Sequence, residues 1–221
     1  MAHLRDKQLK YEKALEYEIF IKGEYDFAKN EILKAETIFD IWGHIWLFSR
    51  WCRSLNSKAR IYYFEPICEF YEKAKEKLWN NDKIILNNCW IASESGEWLM
   101  LLNEEKTMQS SKYSSFLNPE WRGVIVKFVS LKEYLELENL NKIDVLKMDI
   151  EWMEFEVLTS FSGLEWSKID TLVLEVHLLN DEMKLDWNNL LEIIKRHFKY
   201  VEIIDWWYCN EVFLLYAKRY I

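Results

Sequence analysis

The sequence predicts an α/β fold: a mainly parallel sheet with helices on both faces, an antiparallel last strand and an N-terminal helical extension. Three observations carry that expectation. Largely apolar runs, Arg60 to Phe64, Ile143 to Met148 and Thr171 to His177, read as strands buried on both faces. They alternate with charged segments of helical period, the pattern of strand, crossover helix and parallel strand. The chain has 221 residues, half of them apolar, which is enough for one full core.

Taken in order, residues 4 to 35 set Leu9, Leu15, Ile19, Phe20 and Phe27 among Lys and Glu, so one or two amphipathic helices are expected, interrupted near Gly23. Residues 1–35 are expected to be an extension that packs on the sheet edge or covers a pocket, and residues 36–221 a single domain. An apolar strand ends at Asp40, and a helix from Leu47 to Leu55 leads to the strand Arg60 to Phe64. Ile67 to Leu78 is a strong helix, with Glu69, Glu72 and Glu76 interleaved with Lys73, Lys75 and Lys77. Strands are expected at Lys83 to Asn87, Trp98 to Leu102 and Val124 to Val129, and the polar, Ser-rich residues 103 to 122 read as a loop, a lid over the pocket. A short helix, Leu131 to Leu137, precedes the strand Ile143 to Met148, then come a helix at Met153 to Phe161, the strand Thr171 to His177 and a helix at Trp187 to Phe198. Tyr200 to Asp205 and Val212 to Ala217 close the chain as an antiparallel pair.

Composition excludes several classes. A formal charge of −8 without clustered Lys or Arg argues against nucleic acid as a partner. No run of about 18 uncharged apolar residues is present and the N-terminus lacks a signal-peptide core, so a soluble, cytoplasmic protein without a membrane span is expected. Cys52, Cys68, Cys89 and Cys209 are widely spaced and read as reduced, buried thiols. Two counts are abnormal: 5 Gly and 12 Trp. Average usage would give about 15 Gly in a chain of this length.

The stretch from Thr37 to Trp46 organises the rest. A buried strand that turns sharply into a helix makes a nucleotide pocket, because the helix N-terminus and the bare turn amides face whatever lies beyond the strand. Gly43 and His44 lie in that turn, with Asp40 and Ile41 before it and Trp46 at its end. Glu65 closes the next strand 19 residues after Trp46, the place from which a carboxylate accepts ribose hydroxyls. Lys147, Asp149 and Glu151 alternate at the end of a later strand, where open α/β sheets hold ligands, while Glu154 and Glu156 read as solvated. Glu175 and His177 stand two apart on one face of a strand and suit proton abstraction from a substrate hydroxyl, with His177 or Asp149 as the base. His3, His44 and His197 form no metal-ligand spacing, and no metal site is assigned.

Asp40-Ile-x-Gly-His-Ile-x-Leu-Phe-Ser, Phe64-Glu-Pro66, Val145-Leu-Lys-Met-Asp-Ile-Glu-x-Met-Glu-Phe-Glu-Val-Leu158 and Leu174-Glu-Val-His177, in this order over residues 36 to 218, resemble the FkbM family of S-adenosylmethionine-dependent methyltransferases. The resemblance implies a class I, Rossmann-like methyltransferase that moves a methyl group to an oxygen of a sugar or small natural product. By motif matching, it places Asp40, Ile41, Trp42, Gly43, His44, Trp46 and Glu65 at the cofactor S-adenosyl-L-methionine, and Lys147, Asp149, Glu151 and His177 near the transferred methyl. The rivals are a methyltransferase-like binding scaffold without catalysis and a dinucleotide oxidoreductase, whose G-x-G-x-x-G turn fits this spacing poorly.

The family has glycine where this chain has Trp42, Trp46 and Trp152. Trp98, Trp121 and the Trp206-Trp207 pair are also expected at turns. Some genetic codes read UGA as tryptophan and others as glycine, so one miscoding would exchange a set of glycines at once. An indole brings roughly 150–250 Å² into a loop whose backbone must touch the cofactor, so the sequence as written is expected to have a filled or distorted pocket and impaired activity.

Overall fold

The computed structural model describes residues 2–78, 81–103, 110–111, 121–150, 153–178, 180–209 and 212–220. The charged N-terminal segment folds as α1 (Ala2–Tyr17) and a π-helical turn (Glu18–Lys22). Gly23 ends that turn with a left-handed backbone, φ 73°, as the helix-capping role of glycine requires. A 3-10 turn (Asp26–Ala28) and α2 (Lys29–Lys34) complete the region.

The next elements are β1 (Thr37–Ile41), α3 (Leu47–Leu55), β2 (Arg60–Phe64), α4 (Cys68–Leu78) and β3 (Ile84–Asn87). Then come β4 (Trp90–Ala92), β5 (Gly96–Asn103), β6 (Ser110–Ser111), β7 (Trp121–Ser130), α5 (Leu131–Leu137) and β8 (Ile143–Met148). The chain continues as α6 (Glu154–Ser160), α7 (Gly163–Lys168), β9 (Ile169–His177), α8 (Asp181–His197), β10 (Tyr200–Cys209) and β11 (Val212–Lys218).

Seven strands form one sheet in the order β10, β11, β9, β8, β1, β2, β3. The pairs from β9 through β8, β1 and β2 to β3 are parallel, and β11 runs antiparallel to both of its neighbours. Both faces are covered, and the strand period of two divides the core accordingly. Phe39, Tyr62, Phe64, Leu146 and Leu174 face one apolar cluster, while Ile38, Ile61, Tyr63, Val145 and Val173 face the other. The second cluster takes in Ile19, Tyr25, Ala28, Ile32 and Ala35 with Phe48 and Trp51 of α3, so the N-terminal region forms one of the two layers.

The structure departs from the sequence reading in several places, among them Cys68, which is exposed and not a buried thiol. β4, β7, β5 and β6 form a separate four-stranded sheet, because Gly96–Asn103 pairs antiparallel with Trp121–Phe128 instead of joining the main sheet. α8 begins at Asp181, six residues before the predicted start, since the Asn180 side chain accepts the Met183 amide and caps it. Trp98, Trp121, Trp206 and Trp207 lie within β5, β7 and β10 and not at turns, consistent with the strand preference of aromatic residues. The expected lid at residues 103–122 falls mostly outside the described residues. No helix among the described residues is long and apolar enough to cross a membrane.

Candidate functional site

The turn after β1 is tied to β2 by backbone bonds. Gly43 N–H donates to the Phe64 carbonyl at 3.0 Å, and the Tyr63 hydroxyl donates to the His44 carbonyl at 2.6 Å. A Cβ on Gly43 would stand 2.0 Å from the Tyr63 ring, so only glycine permits this approach. Glu65, fully buried, accepts the His44 amide at 3.0 Å on Oε2 and the Ile67 amide at 2.8 Å on Oε1. Burial raises its pKa to about 8 despite those two donors. The His44 ring has neither nitrogen hydrogen-bonded, and burial, with Lys147 adding to it, lowers its pKa to about 3, so it is neutral.

Lys147 joins this turn to the end of β8. Register pairs it with Asp40, and its Nζ lies 3.7 Å from Asp40 Oδ1, 3.6 Å from Asp149 Oδ2 and 3.3 Å from the Trp42 carbonyl. Burial opposes its charge, but Asp149 and Asp40 outweigh that and its pKa is raised. Asp40 is fully buried and accepts the Ser49 hydroxyl of α3 at 2.6 Å, an anchor between the first strand and helix.

At the end of β9, His177 Nδ1 lies 2.7 Å from Glu154 Oε1 and Nε2 lies 3.5 Å from Glu175 Oε1. Burial works against the imidazolium, yet Glu154 and Glu175 raise the His177 pKa well above its ordinary value. Asp149 is raised by burial and by the Glu175 charge. One atom from each of Asp149, Glu175 and His177 lies within 4.8 Å of the others, so these three could also hold a divalent cation.

A cavity of about 270 Å³ joins the two halves, lined among others by Trp42, Gly43, His44, Lys147, Asp149, Glu175 and His177. Asp40, Ile41, Trp46 and Glu65 lie outside its lining: Asp40 and Glu65 are buried behind the turn and hold its shape. Glu151 and Trp152 fall outside the described residues. Sequence reasoning missed two residues. Glu154, read as solvated, is fully buried on His177, and nothing in the first turn of α6 distinguishes it in sequence from Glu156. Glu24 lines the cavity from the N-terminal region, 7% exposed, with its pKa raised to about 8 by burial and then by Glu175. No spacing in the sequence points to it.

A family model described as the Methyltransferase FkbM domain matches residues 35–202. Methyltransferase 1 of Beauveria bassiana (strain ARSEF 2860) is 26% identical over 178 residues, covering 72% of this chain and 71% of its own. Among solved structures, a methyltransferase from Pyrococcus furiosus superposes with a TM-score of 0.52 at 15% identity, covering 98% of both chains. The METTL16 MTase domain gives 0.54 at 11% identity over 89% of this chain and 66% of its own. At those identities the structural matches speak to the fold alone.

Proposed function

The chain belongs to the FkbM family of S-adenosylmethionine-dependent methyltransferases, and from that premise we propose that it methylates a hydroxyl of a sugar or a small natural product. The observation that carries this reading is the group at the ends of β8 and β9, where Asp149, Glu175 and His177 converge in a cavity that the turn after β1 also lines. A hydroxyl needs a proton acceptor to become a nucleophile, and a carboxylate of raised pKa is a better one than an ordinary carboxylate. Asp149 is such a group. His177, charged between Glu154 and Glu175, has both ring N–H groups directed at carboxylates and fixes Glu175 beside Asp149.

S-Adenosylmethionine, when bound, supplies a methyl group on a cationic sulfur. The half-buried carboxylates Asp149 and Glu175 of the cavity suit that charge, and the turn held by Glu65 suits its ribose. The side chain at 42 does not fit it. The Trp42 ring is buried against Trp90 at 4.5 Å between centroids, and the remaining cavity is smaller than the roughly 300–1,000 Å³ typical of ligand pockets. The proposed residues are Gly43 and His44 with the backbone of 42 and 46 on the cofactor side, supported from behind by Asp40, Ile41 and Glu65, and Lys147, Asp149, Glu151 and His177 on the acceptor side. Tyr11, Leu15, Ile19, Glu24 and Tyr25 of the N-terminal region cover the cavity. The formal charge of −8 supports a small-molecule or glycan acceptor in the cytoplasm over a nucleic acid.

The test is product analysis by NMR with sugar and phenol acceptors, on the chain as written and with Trp42→Gly and Trp46→Gly. A methyl ether is expected in the glycine form, and Asp149→Asn should lower its turnover about 10²–10⁴-fold. Methylation on nitrogen or carbon would sink the reading. The same three side chains favour one second reading, a divalent cation that holds the acceptor oxygen; activity lost in chelator and restored by Mn²⁺ would select it.

A further inference from the structure

We infer that positions 42 and 46 are glycine in the functional protein, encoded by UGA, whereas Trp51 and Trp187 are genuine tryptophans. The backbone carries the argument. Among the described residues, four that are not glycine have positive φ: Trp42 at 64°, His44 at 41°, Trp46 at 57° and Asn139 at 53°. Asn tolerates that region, but a bulky aromatic there is an outlier. Three of the four stand in one five-residue turn, and the two with the largest side chains occupy its first and last places. The glycine between them, Gly43, does not have positive φ and is required by the Tyr63 ring instead.

Two further observations agree. Trp46 is the N-cap of α3 and makes no capping bond, a place where glycine is tolerated and tryptophan has nothing to offer. Trp42 is 3% exposed with its indole N–H unpartnered, although buried Trp N–H groups usually find an acceptor. Removing that indole opens a slot beside Trp90, whose ring stacks on Phe128, and this slot adjoins the existing cavity.

The structure also sorts two further tryptophans. Trp51 lies inside α3 with its ring 6.1 Å from Tyr25 and 5.8 Å from Phe48, and Trp187 lies inside α8, edge-on to Phe213 at 5.1 Å. Glycine at either place would weaken a helix interior and empty a core contact. One exchange thus explains the two misplaced indoles without touching the two that pack.

The codons of the gene and peptide mass spectrometry of the protein purified from its natural host test the inference directly. UGA at 42 and 46 with UGG at 51 and 187 is expected, with glycine and tryptophan in the corresponding peptides. Tryptophan at 42 or 46 in the native protein overturns the inference, and glycine at 51 or 187 overturns the sorting. A third arm rests on the proposed cofactor role: calorimetric titration with S-adenosylhomocysteine should show at least about a 100-fold gain for the Trp42→Gly, Trp46→Gly variant over the chain as written. Equal binding by both would show that the indoles do not close the site and would overturn the inference. Glycine peptides with tight binding but no methyl ether formed would leave it standing and remove the proposed function.

Discussion

Lys147 is the residue on which the charges of the site depend. It is the counter-ion of both Asp40 and Asp149, within 3.7 Å of each, and it holds the Trp42 carbonyl as well. Lys147→Met leaves one buried and one half-buried carboxylate without a cation, so a loss of about 3–5 kcal/mol in urea unfolding is expected. A loss below about 1 kcal/mol would mean that the ammonium is not the compensating group. Glu24 works in the opposite sense. Its carboxyl keeps its proton up to about pH 8 in the folded chain and releases it near the ordinary 4.5 when unfolded, so it costs stability as pH rises between those values. Glu24→Gln should match the parent at pH 4.5 and exceed it at pH 9 by about 2 kcal/mol or more, measured by denaturant titration at both pH values. Glu65 titrates in the same window, but its two backbone donors give it a second role. In a form that binds cofactor, Glu65→Ala should weaken binding by about 1–3 kcal/mol by calorimetry, and unchanged affinity would remove it from the site.

At the scale of elements, the site is made by neighbouring strand ends and by α6 packing across one of them. The strand ends were legible, because β1, β2, β8 and β9 are apolar runs that stop at charged residues, and the sheet places them side by side. The contribution of α6 was not, because Glu154 looks like any acid in the first turn of a helix until the fold brings β9 beside it. Glu24 was hidden for the same reason, since tertiary approach leaves no periodic trace in sequence. The second sheet was missed because local antiparallel pairing between β5 and β7 is not encoded in the hydrophobic pattern of either strand alone. If α6 positions the imidazole, Glu154→Gln should lower the His177 titration midpoint by at least about one pH unit, read from ring proton shifts. An unmoved midpoint would assign the raised pKa to Glu175 alone.

At the scale of the molecule, the question is whether the first 35 residues are a cover or part of the fold. The sequence reads them as an extension, and their helical period with its break at Gly23 is what the structure contains. Their burial is graded along the chain. Tyr11 and Leu15 of α1 line the cavity, whereas Ala28 and Ile32 are fully buried against the sheet and the Asn56 side chain donates to the Ile32 and Ala35 carbonyls at 2.8 Å. Removing α1 therefore exposes a pocket, and removing α2 exposes a layer of the core. Deletion of residues 1–17 should leave a cooperative thermal transition, displaced downward by several degrees, with the cavity open to solvent. Deletion of residues 1–35 strips apolar cover from Ile38, Phe48 and Trp51, a loss on the order of 1.5–3 kcal/mol for each large side chain uncovered, comparable in sum to the whole stability of a domain. That chain should give no cooperative transition. If it melts cooperatively near the full-length temperature, the segment is a dispensable cover and the core is complete without it.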